Sequence, residues 1–508
     1  MIKLDGNSLN IQDVYNVAFK NESVQISDDA KQRIKESHQW ILDIVRDGKP
    51  VYGVNTGFGI FSDKSISSED INKLNRNLIL SHAVGTGEPF STQITRAAML
   101  IRANTLCIGL SGVQLELVAV LVDMLNKGVT PVVPSQGSMG SSGDLAPLSH
   151  LGLVFTTDPN DKDAESGFAE FQGNVFSGKQ AMQKAGIQRI ELGPKESLAI
   201  TNGATFSTAV AALSLIKAES LLNTANLSLS LSLEALQGTS SAFNHKLHKS
   251  RNHHGQIKVA AAVRELTEGS SLLNKSGRVQ DSYSLRCAPQ VQGPAWDLLE
   301  FAKHTVEHEL NAVIDNPIIL GPGNAVSGGN FHGEPIGLVM DYLKIAMAEV
   351  GAISERRTYH LTDGHASGLP SMLVDDHNSA GLNSGMMMPQ YTAASLVLEN
   401  QHLAGSDSVH SLPSSGGKED HNANSMTAAR HAYDLLKNLS HILAVELFSA
   451  AQAIDIRKNS DPDLVLGKGI QKVYSKIRKI VPYHPHDIWW GPEINKIKNM
   501  IWENGFLA

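Results

Sequence analysis

Residues 204–237 read Ala204-Thr-Phe-Ser-Thr-Ala-Val-Ala-Ala-Leu-Ser-Leu-Ile-Lys-Ala-Glu-Ser-Leu-Leu-Asn-Thr-Ala-Asn-Leu-Ser-Leu-Ser-Leu-Ser-Leu-Glu-Ala-Leu-Gln237, and Gly238 follows. Alanine and leucine favour the helix, no proline interrupts, and a glycine just past the end is a common stop. The stretch predicts one long helix. Trp296–Ala312, Pro335–Leu361, Tyr391–Ala404 and Ala423–Ile456 read the same way, punctuated by Asn316-Pro317, Gly321-Pro-Gly and Ser411-Leu-Pro-Ser-Ser-Gly-Gly417. Several run past about 25 residues, which suits parallel bundling in a large helical core. Upstream, short helical patterns alternate with glycine-rich turns, and residues 155–195 lose helical periodicity around Asp158-Pro-Asn-Asp, Ser166-Gly-Phe and Gly193-Pro194. The expected class is mainly α: a large bundle of long, roughly parallel helices with a glycine-rich N-terminal region that carries the site. Residues 1–203 are expected to form that region, and 204–508 the central and C-terminal helices.

Composition narrows the function. The 508 residues are 42% hydrophobic and 19% charged, which rules out a disordered chain. Lys and Arg number 43 against 51 Asp and Glu, a formal charge of −8 without long like-charge blocks. That balance argues against nucleic acid or an anionic membrane as an obligate partner. Cys107 and Cys287 are too few for a disulfide framework or a four-cysteine zinc site. The first residues lack a signal-peptide pattern, and charges interrupt apolar stretches such as Gly112–Asp123. A soluble, cytoplasmic protein is the expectation. His253-His254 and His484-Pro-His486 have no acid or cysteine at ligand spacing, so no metal is expected. The 43 glycines beside only 6% aromatics imply close backbone approach in a body filled by small residues.

The stretch that carries chemistry is Gly137-Ser-Met-Gly-Ser-Ser-Gly-Asp-Leu-Ala-Pro-Leu-Ser-His150. Its glycines invite a phosphate-loop reading, but no Lys-Ser/Thr follows and no βαβ context surrounds it. Ser141-Ser142-Gly143 supports a sharper reading. If the Gly143 nitrogen attacks the carbonyl carbon of residue 141, a five-membered ring closes. Loss of water, including the Ser142 hydroxyl, leaves an exocyclic methylidene. Glycine is needed at 143 because a Cβ would crowd the attacking nitrogen, and serine at 142 because its hydroxyl is eliminated. The product is an electrophile that no standard side chain provides.

Eight motifs in register resemble the aromatic amino acid ammonia-lyases, and within them the histidine-specific type. They are Tyr52-Gly-Val-Asn-Thr-Gly-Phe-Gly59, Ser81-His82-Ala-Val-Gly-Thr-Gly-Glu-Pro89, the 137–150 segment, and Glu196-Ser-Leu-Ala-Ile-Thr-Asn202-Gly203. Gln280-Asp-Ser-Tyr283-Ser-Leu-Arg286-Cys, Asn311-Ala-Val-Ile-Asp-Asn316-Pro, Gly328-Gly-Asn-Phe331-His-Gly-Glu-Pro335 and Lys418-Glu419-Asp420-His421 complete the set. The resemblance implies a 4-methylidene-imidazol-5-one formed from Ser141, Ser142 and Gly143, with no metal or nucleotide. It implies Tyr52 as the base that removes the β-proton, with Tyr283 beside the prosthetic group. Arg286 would clamp the substrate carboxylate by two parallel hydrogen bonds, and Asn202, Gln280 and Asn316 would complete that hydrogen bonding. Phe331 would line the pocket. His82 and Glu419 would hold an imidazole, since a carboxylate facing a phenyl ring is an unpaired charge. Met387 stands where phenylalanine lyases often carry lysine. The family pattern also implies a homotetramer whose sites draw on several subunits, acting on a small aromatic amino acid. Site residues spread from 52 to 419 fit one intertwined body better than independent domains.

Three positions depart from that pattern: Ser141 for the usual alanine, Ala204 for threonine after Asn202-Gly203, and Lys418 for an amide. The alternatives are deamination of tyrosine or phenylalanine, an aminomutase, and a lyase of histidine betaines such as ergothioneine that needs no prosthetic group. Outside catalysis stands an inactive helical scaffold in which 141–143 is an ordinary turn.

Overall fold

A serine-rich sequence can fill a helix that is buried all round only if the hydroxyls find acceptors. In the helix Thr205–Ala235 they bond back to their own turns. Thr208 Oγ1 donates to Ala204 O at 2.7 Å, Thr224 Oγ1 to Ser220 O at 2.9 Å, and Ser230 Oγ to Asn226 O at 2.8 Å. The computed structural model describes residues 1–48, 50–57, 64–67, 69–375, 377–503 and 505–506. Phe58 and Gly59, which end the first glycine-rich motif, lie outside them. Further long helices are Ala288–Leu310, Glu334–Thr362 and Ser425–Ser460, with the shorter Met387–Leu403. Helix covers 61% of the chain, about twice the ordinary third, so the class is mainly α and the architecture a helical bundle. Thr205–Ala235 and Ser425–Ser460 are long and apolar enough to cross a membrane, but 89% of each apolar window is buried within the protein. They are core helices.

Packing divides the chain into two compact units. Unit 1 holds residues 1–213, 303–341 and 406–430; unit 2 holds 214–302, 342–405 and 431–508. Within unit 2 the helices are tied by a buried carboxylate. Glu446 accepts from Ser232 Oγ at 2.7 Å, from Ser354 Oγ at 2.5 Å and from Arg357 Nη2 at 2.8 Å, and Arg357 and Glu446 are both fully buried. Such a pair holds only while its lone pairs are filled, as they are here.

Unit 1 is where the glycine-rich motifs fold. The expected irregular insertion contains short strands, Phe168–Phe171 paired antiparallel with Asn174–Ser177, and one short helix, Gly178–Lys184. Three short helices, Ile71–His82, Leu145–Phe155 and Glu196–Thr201, pack on one another. His82 ends the first, Asn202 caps the C-terminus of the third, and the 137–143 loop enters the second. Strand Thr86–Pro89 pairs antiparallel with Pro134–Gln136, which aligns that loop with the chain leaving His82. Gly85 N donates to His150 Nε2 at 3.0 Å, fixing the same juncture from the Leu145–Phe155 helix.

Candidate active site

Side chains from five separate stretches of unit 1 converge on one cavity of about 690 Å³. Its lining includes Tyr52, His82, Ser142, Asn202 and Glu419. Each is presented by a local device. Tyr52 projects from a tight turn in which Val51 N donates to Asn55 Oδ1 at 2.8 Å and Gly53 has φ +72°. That left-handed φ is one that residues with a Cβ rarely adopt, which favours glycine there.

The 137–144 loop is held more tightly still. Gly143 has φ +88°, and a Cβ there would stand 2.1 Å from the Gly203 amide nitrogen, with backbone on all near sides. No side chain fits at 143. Asp144, fully buried, accepts from Ser138 Oγ and Ser207 N at 2.7 Å and from Ser207 Oγ at 3.0 Å. Burial raises its pKa, and these donors oppose the rise. Ser142 itself is half-buried at the cavity wall. Its carbonyl oxygen accepts from Asn202 Nδ2 at 2.9 Å and from Gly203 N at 3.1 Å. Two fixed donors on one carbonyl oxygen stabilise negative charge that develops there. A turn that presses 143 against backbone, leaves the 142 side chain towards the cavity and polarises the 142 carbonyl fits the ring-forming tripeptide read from the sequence.

At the specificity end, the His82 ring nitrogen Nδ1 lies 3.0 Å from Ser81 Oγ, and Ser81 Oγ donates to Leu78 O at 3.2 Å. A hydroxyl has one proton, so His82 Nδ1 is the donor in the first bond and Nε2 is left as an acceptor. Burial is the main cause holding the His82 pKa below its ordinary value; the Leu78 carbonyl and Glu419 pull the other way. Glu419 is steadied by Ser415 Oγ, which donates to Glu419 Oε1 at 3.0 Å, and by the paired strands of backbone at Ser414 and Glu419.

The remaining sequence candidates lie elsewhere. Asn316 is buried with its amide engaged, Nδ2 donating to Ser327 Oγ at 3.0 Å and Oδ1 accepting from Gly328 N at 2.7 Å. Phe331 is half-buried in the segment whose Gly333 N donates to Gly140 O at 2.9 Å, but it does not line the cavity. Gln280, Tyr283, Arg286 and Met387 belong to unit 2. There Tyr283 is 70% exposed and the Arg286 guanidinium sits 4.6 Å from its ring centre. None of the four is a lining residue of this cavity.

Residues 9–479 match the aromatic amino acid lyase family. The chain belongs to that family. It is 46% identical to a histidine ammonia-lyase of Treponema denticola, over 94% of this chain and 92% of the relative. Among solved structures, histidine ammonia-lyase from Trypanosoma cruzi superposes with TM-score 0.90 at 35% identity, covering 99% of this chain and 94% of the other. The ergothioneine-degrading enzyme ergothionase from Treponema denticola superposes with TM-score 0.92 at 32% identity, covering 100% and 99%. Near-equal superpositions on two different reactions mean that this lyase fold does not by itself choose the substrate.

Some supports of the lyase site carry no motif of their own. Arg102, wholly buried, donates from Nη1 to Ala199 O at 3.0 Å and from Nη2 to Asn202 O and Thr205 Oγ1. It fixes the backbone on which the Asn202 amide is mounted, and burial draws its pKa down to about 10. Asn422 explains the departure at 141. Ser141 Oγ donates to Asn422 Oδ1, while Asn422 donates from Nδ2 to Leu412 O and from its backbone N to Ser411 Oγ at 2.9 Å. Ser141 is 6% exposed and Asn422 fully buried. Ser141→Ala therefore leaves a buried acceptor unfilled, an expected loss of about 1–3 kcal/mol. Asn422→Leu is expected to cost more, because it also takes the Nδ2 donor from Leu412 O. Urea unfolding of the two single variants checks this; an unchanged midpoint in Ser141→Ala would mean that the Ser141–Asn422 bond contributes nothing.

Proposed function

We propose that the protein is a histidine ammonia-lyase, converting L-histidine to trans-urocanate and ammonia. The observation that carries the reading is the composition of one cavity: Ser142 and Tyr52 share it with His82 and Glu419, two groups chemically suited to an imidazole. Histidine ammonia-lyases of several bacteria, 41–46% identical over nearly the whole chain, support the same choice.

In this proposal Ser141, Ser142 and Gly143 form a 4-methylidene-imidazol-5-one, which supplies an electrophile that activates the substrate for elimination. Asn202 Nδ2 and Gly203 N stabilise negative charge on the oxygen that was the Ser142 carbonyl. The Glu419 carboxylate accepts from the imidazole N–H and, with His82 beside it, orients the β-carbon. Tyr52 takes the β-proton as the carbon–nitrogen bond breaks and ammonia leaves. Positioning matters because the β-carbon is an unactivated acid. Carboxylate capture falls to Arg286 with Gln280 and Tyr283, supplied by another copy in a homotetramer, with Asn316 and Phe331 supporting the site from behind and Met387 bordering it. Substrate is a small soluble amino acid, consistent with a cytoplasmic enzyme.

Glu419→Gln tests the substrate. It is expected to lower kcat/KM for histidine by roughly 10- to 100-fold, the worth of one charge-assisted hydrogen bond, and to spare any activity on tyrosine. Equal losses on both substrates would remove Glu419 as the imidazole partner. The ergothionase likeness defines the second reading, elimination of trimethylamine from a histidine betaine. Side-by-side assays of histidine and ergothioneine separate the two.

A further inference from the structure

Unit 2 has a cavity of its own, about 540 Å³, and its chemistry is unlike the first. Lys275, Arg278, Arg457, His360 and His365 line it, and among the described residues no carboxylate does. One of these charges is compensated: Arg278 Nε donates to the buried Asp281 Oδ1 at 3.2 Å. Arg457 is different. Its Nε donates to Ala235 O at 2.6 Å and its Nη2 to Ser367 O at 2.9 Å, so neutral carbonyls hold it in place without cancelling its charge.

The cost is visible in how the neighbours titrate. Burial lowers the Arg457 pKa and Arg278 lowers it further. Burial also lowers that of His360, with Arg278 and Arg356 adding to the effect and Asp363 and Glu355 opposing it. An adjoining cavity of about 410 Å³ shares Arg457 and Lys275 and carries Asp375 and Asp461. Asp375 already accepts from Tyr483 Oη at 2.7 Å and Asn459 Nδ2 at 3.0 Å. The chamber thus carries positive charge that no described side chain of its own lining cancels, in a recess large enough for a small molecule.

We propose that this chamber is a binding site for a phosphate-class oxyanion, borne by a small metabolite, with Arg457, Arg278 and Lys275 as its ligands. Guanidinium groups suit an oxyanion: Arg457, with Nε and Nη2 on carbonyls, keeps Nη1 to donate, and the exposed Lys275 and His365 line the same recess. The wall residues Arg278, Ser282 and Leu285 bracket Gln280 and Tyr283 on the same short segment, next to Arg286. An occupant that orders this segment alters the presentation of the carboxylate clamp; this last step rests on the function proposed above.

The test is calorimetric titration of the assembled enzyme with inorganic phosphate and with pyrophosphate, at ionic strength fixed by chloride. Saturable binding is expected, tighter for pyrophosphate and at least about tenfold weaker in Lys275→Ala and in Arg457→Gln. Lys275 is exposed, so its variant keeps the fold if Arg457→Gln does not. No saturable binding, or unchanged binding in Lys275→Ala, overturns the site. Binding confirmed with the KM for histidine unmoved overturns the coupling and leaves the site standing. Failure of histidine turnover altogether is a separate result and bears on the proposed function alone.

Discussion

Ser142→Ala abolishes histidine turnover, by roughly 10⁴-fold or more, the scale on which single covalent catalysts are missed, and leaves the protein folded. The two halves of this expectation have separate causes. The fold at 142 uses the main chain: Asn202 Nδ2 and Gly203 N bond the carbonyl oxygen, and alanine keeps it. The chemistry uses the side chain, because the hydroxyl is what leaves when the methylidene forms. Intact-protein mass reads the same event directly. The wild-type chain should be lighter than its sequence by the water of ring closure and by the water that carries off the Ser142 hydroxyl. The alanine variant cannot lose the second. A wild-type mass equal to that of the unmodified chain would sink the prosthetic group. It would leave the betaine lyase, whose trimethylamine leaves without electrophilic help, and the inactive scaffold. Ergothioneine turnover by Ser142→Ala then separates those two.

How much of this was legible depends on whether the decisive contact is local. The Ala204–Gln237 stretch became the helix Thr205–Ala235 because propensity, the absence of breakers and the closing glycine all act within a turn or two. The next helix was expected from Trp296 and begins at Ala288, since Gly293-Pro294 reads as a stop. Pro294 lies inside it, and Gly293 approaches another backbone so closely that a Cβ would stand 2.5 Å from Gln256 N. Such an approach is a tertiary fact, and it overrides local preference. The helix expected from Tyr391 begins at Met387 for a milder reason: Pro389 falls in its first turn, where the missing N–H has no intrahelical acceptor.

The site divides along the same line. Tyr52, His82, Ser142, Asn202 and Glu419 sit in motifs whose glycines have a local geometric purpose, and all five reached one cavity. Arg102, His150 and Asn422 were invisible as site residues. An arginine in the buried helix Thr92–Cys107 has nothing in its neighbourhood to show that its acceptors are carbonyls near residue 200. Ser141 likewise read only as a departure from the usual alanine until Asn422, 281 residues away, supplied an acceptor for its hydroxyl. Gln280, Tyr283, Arg286 and Met387 belong to unit 2 and do not line this cavity, and no pattern in one chain says which copy's cavity they would complete.

Tyr52→Phe tests the assignment of the base against a rival in the same cavity. Removing only the phenolic oxygen keeps the ring and the Gly53 turn, so substrate binding should change little while kcat falls by about 10²- to 10⁴-fold, the usual worth of a positioned base. Proton removal then limits turnover, and a primary isotope effect with β-deuterated histidine should grow. His82 is the rival, because its Nδ1 is tied to Ser81 and Leu78 and its Nε2 lone pair is available. The two differ in sign with pH. Burial holds His82 below the ordinary histidine pKa of about 6.5, so its basic form is complete above that value and is lost only as the medium becomes more acid. A base at His82 would give a rate that fails on the acid side and is indifferent to Tyr52→Phe. Unchanged kcat in that variant, with the acid limb intact, would transfer the proton to His82 and leave Tyr52 as a packing residue. A collapse of kcat with KM retained places the proton on the tyrosine, because the substitution removes only the phenolic oxygen.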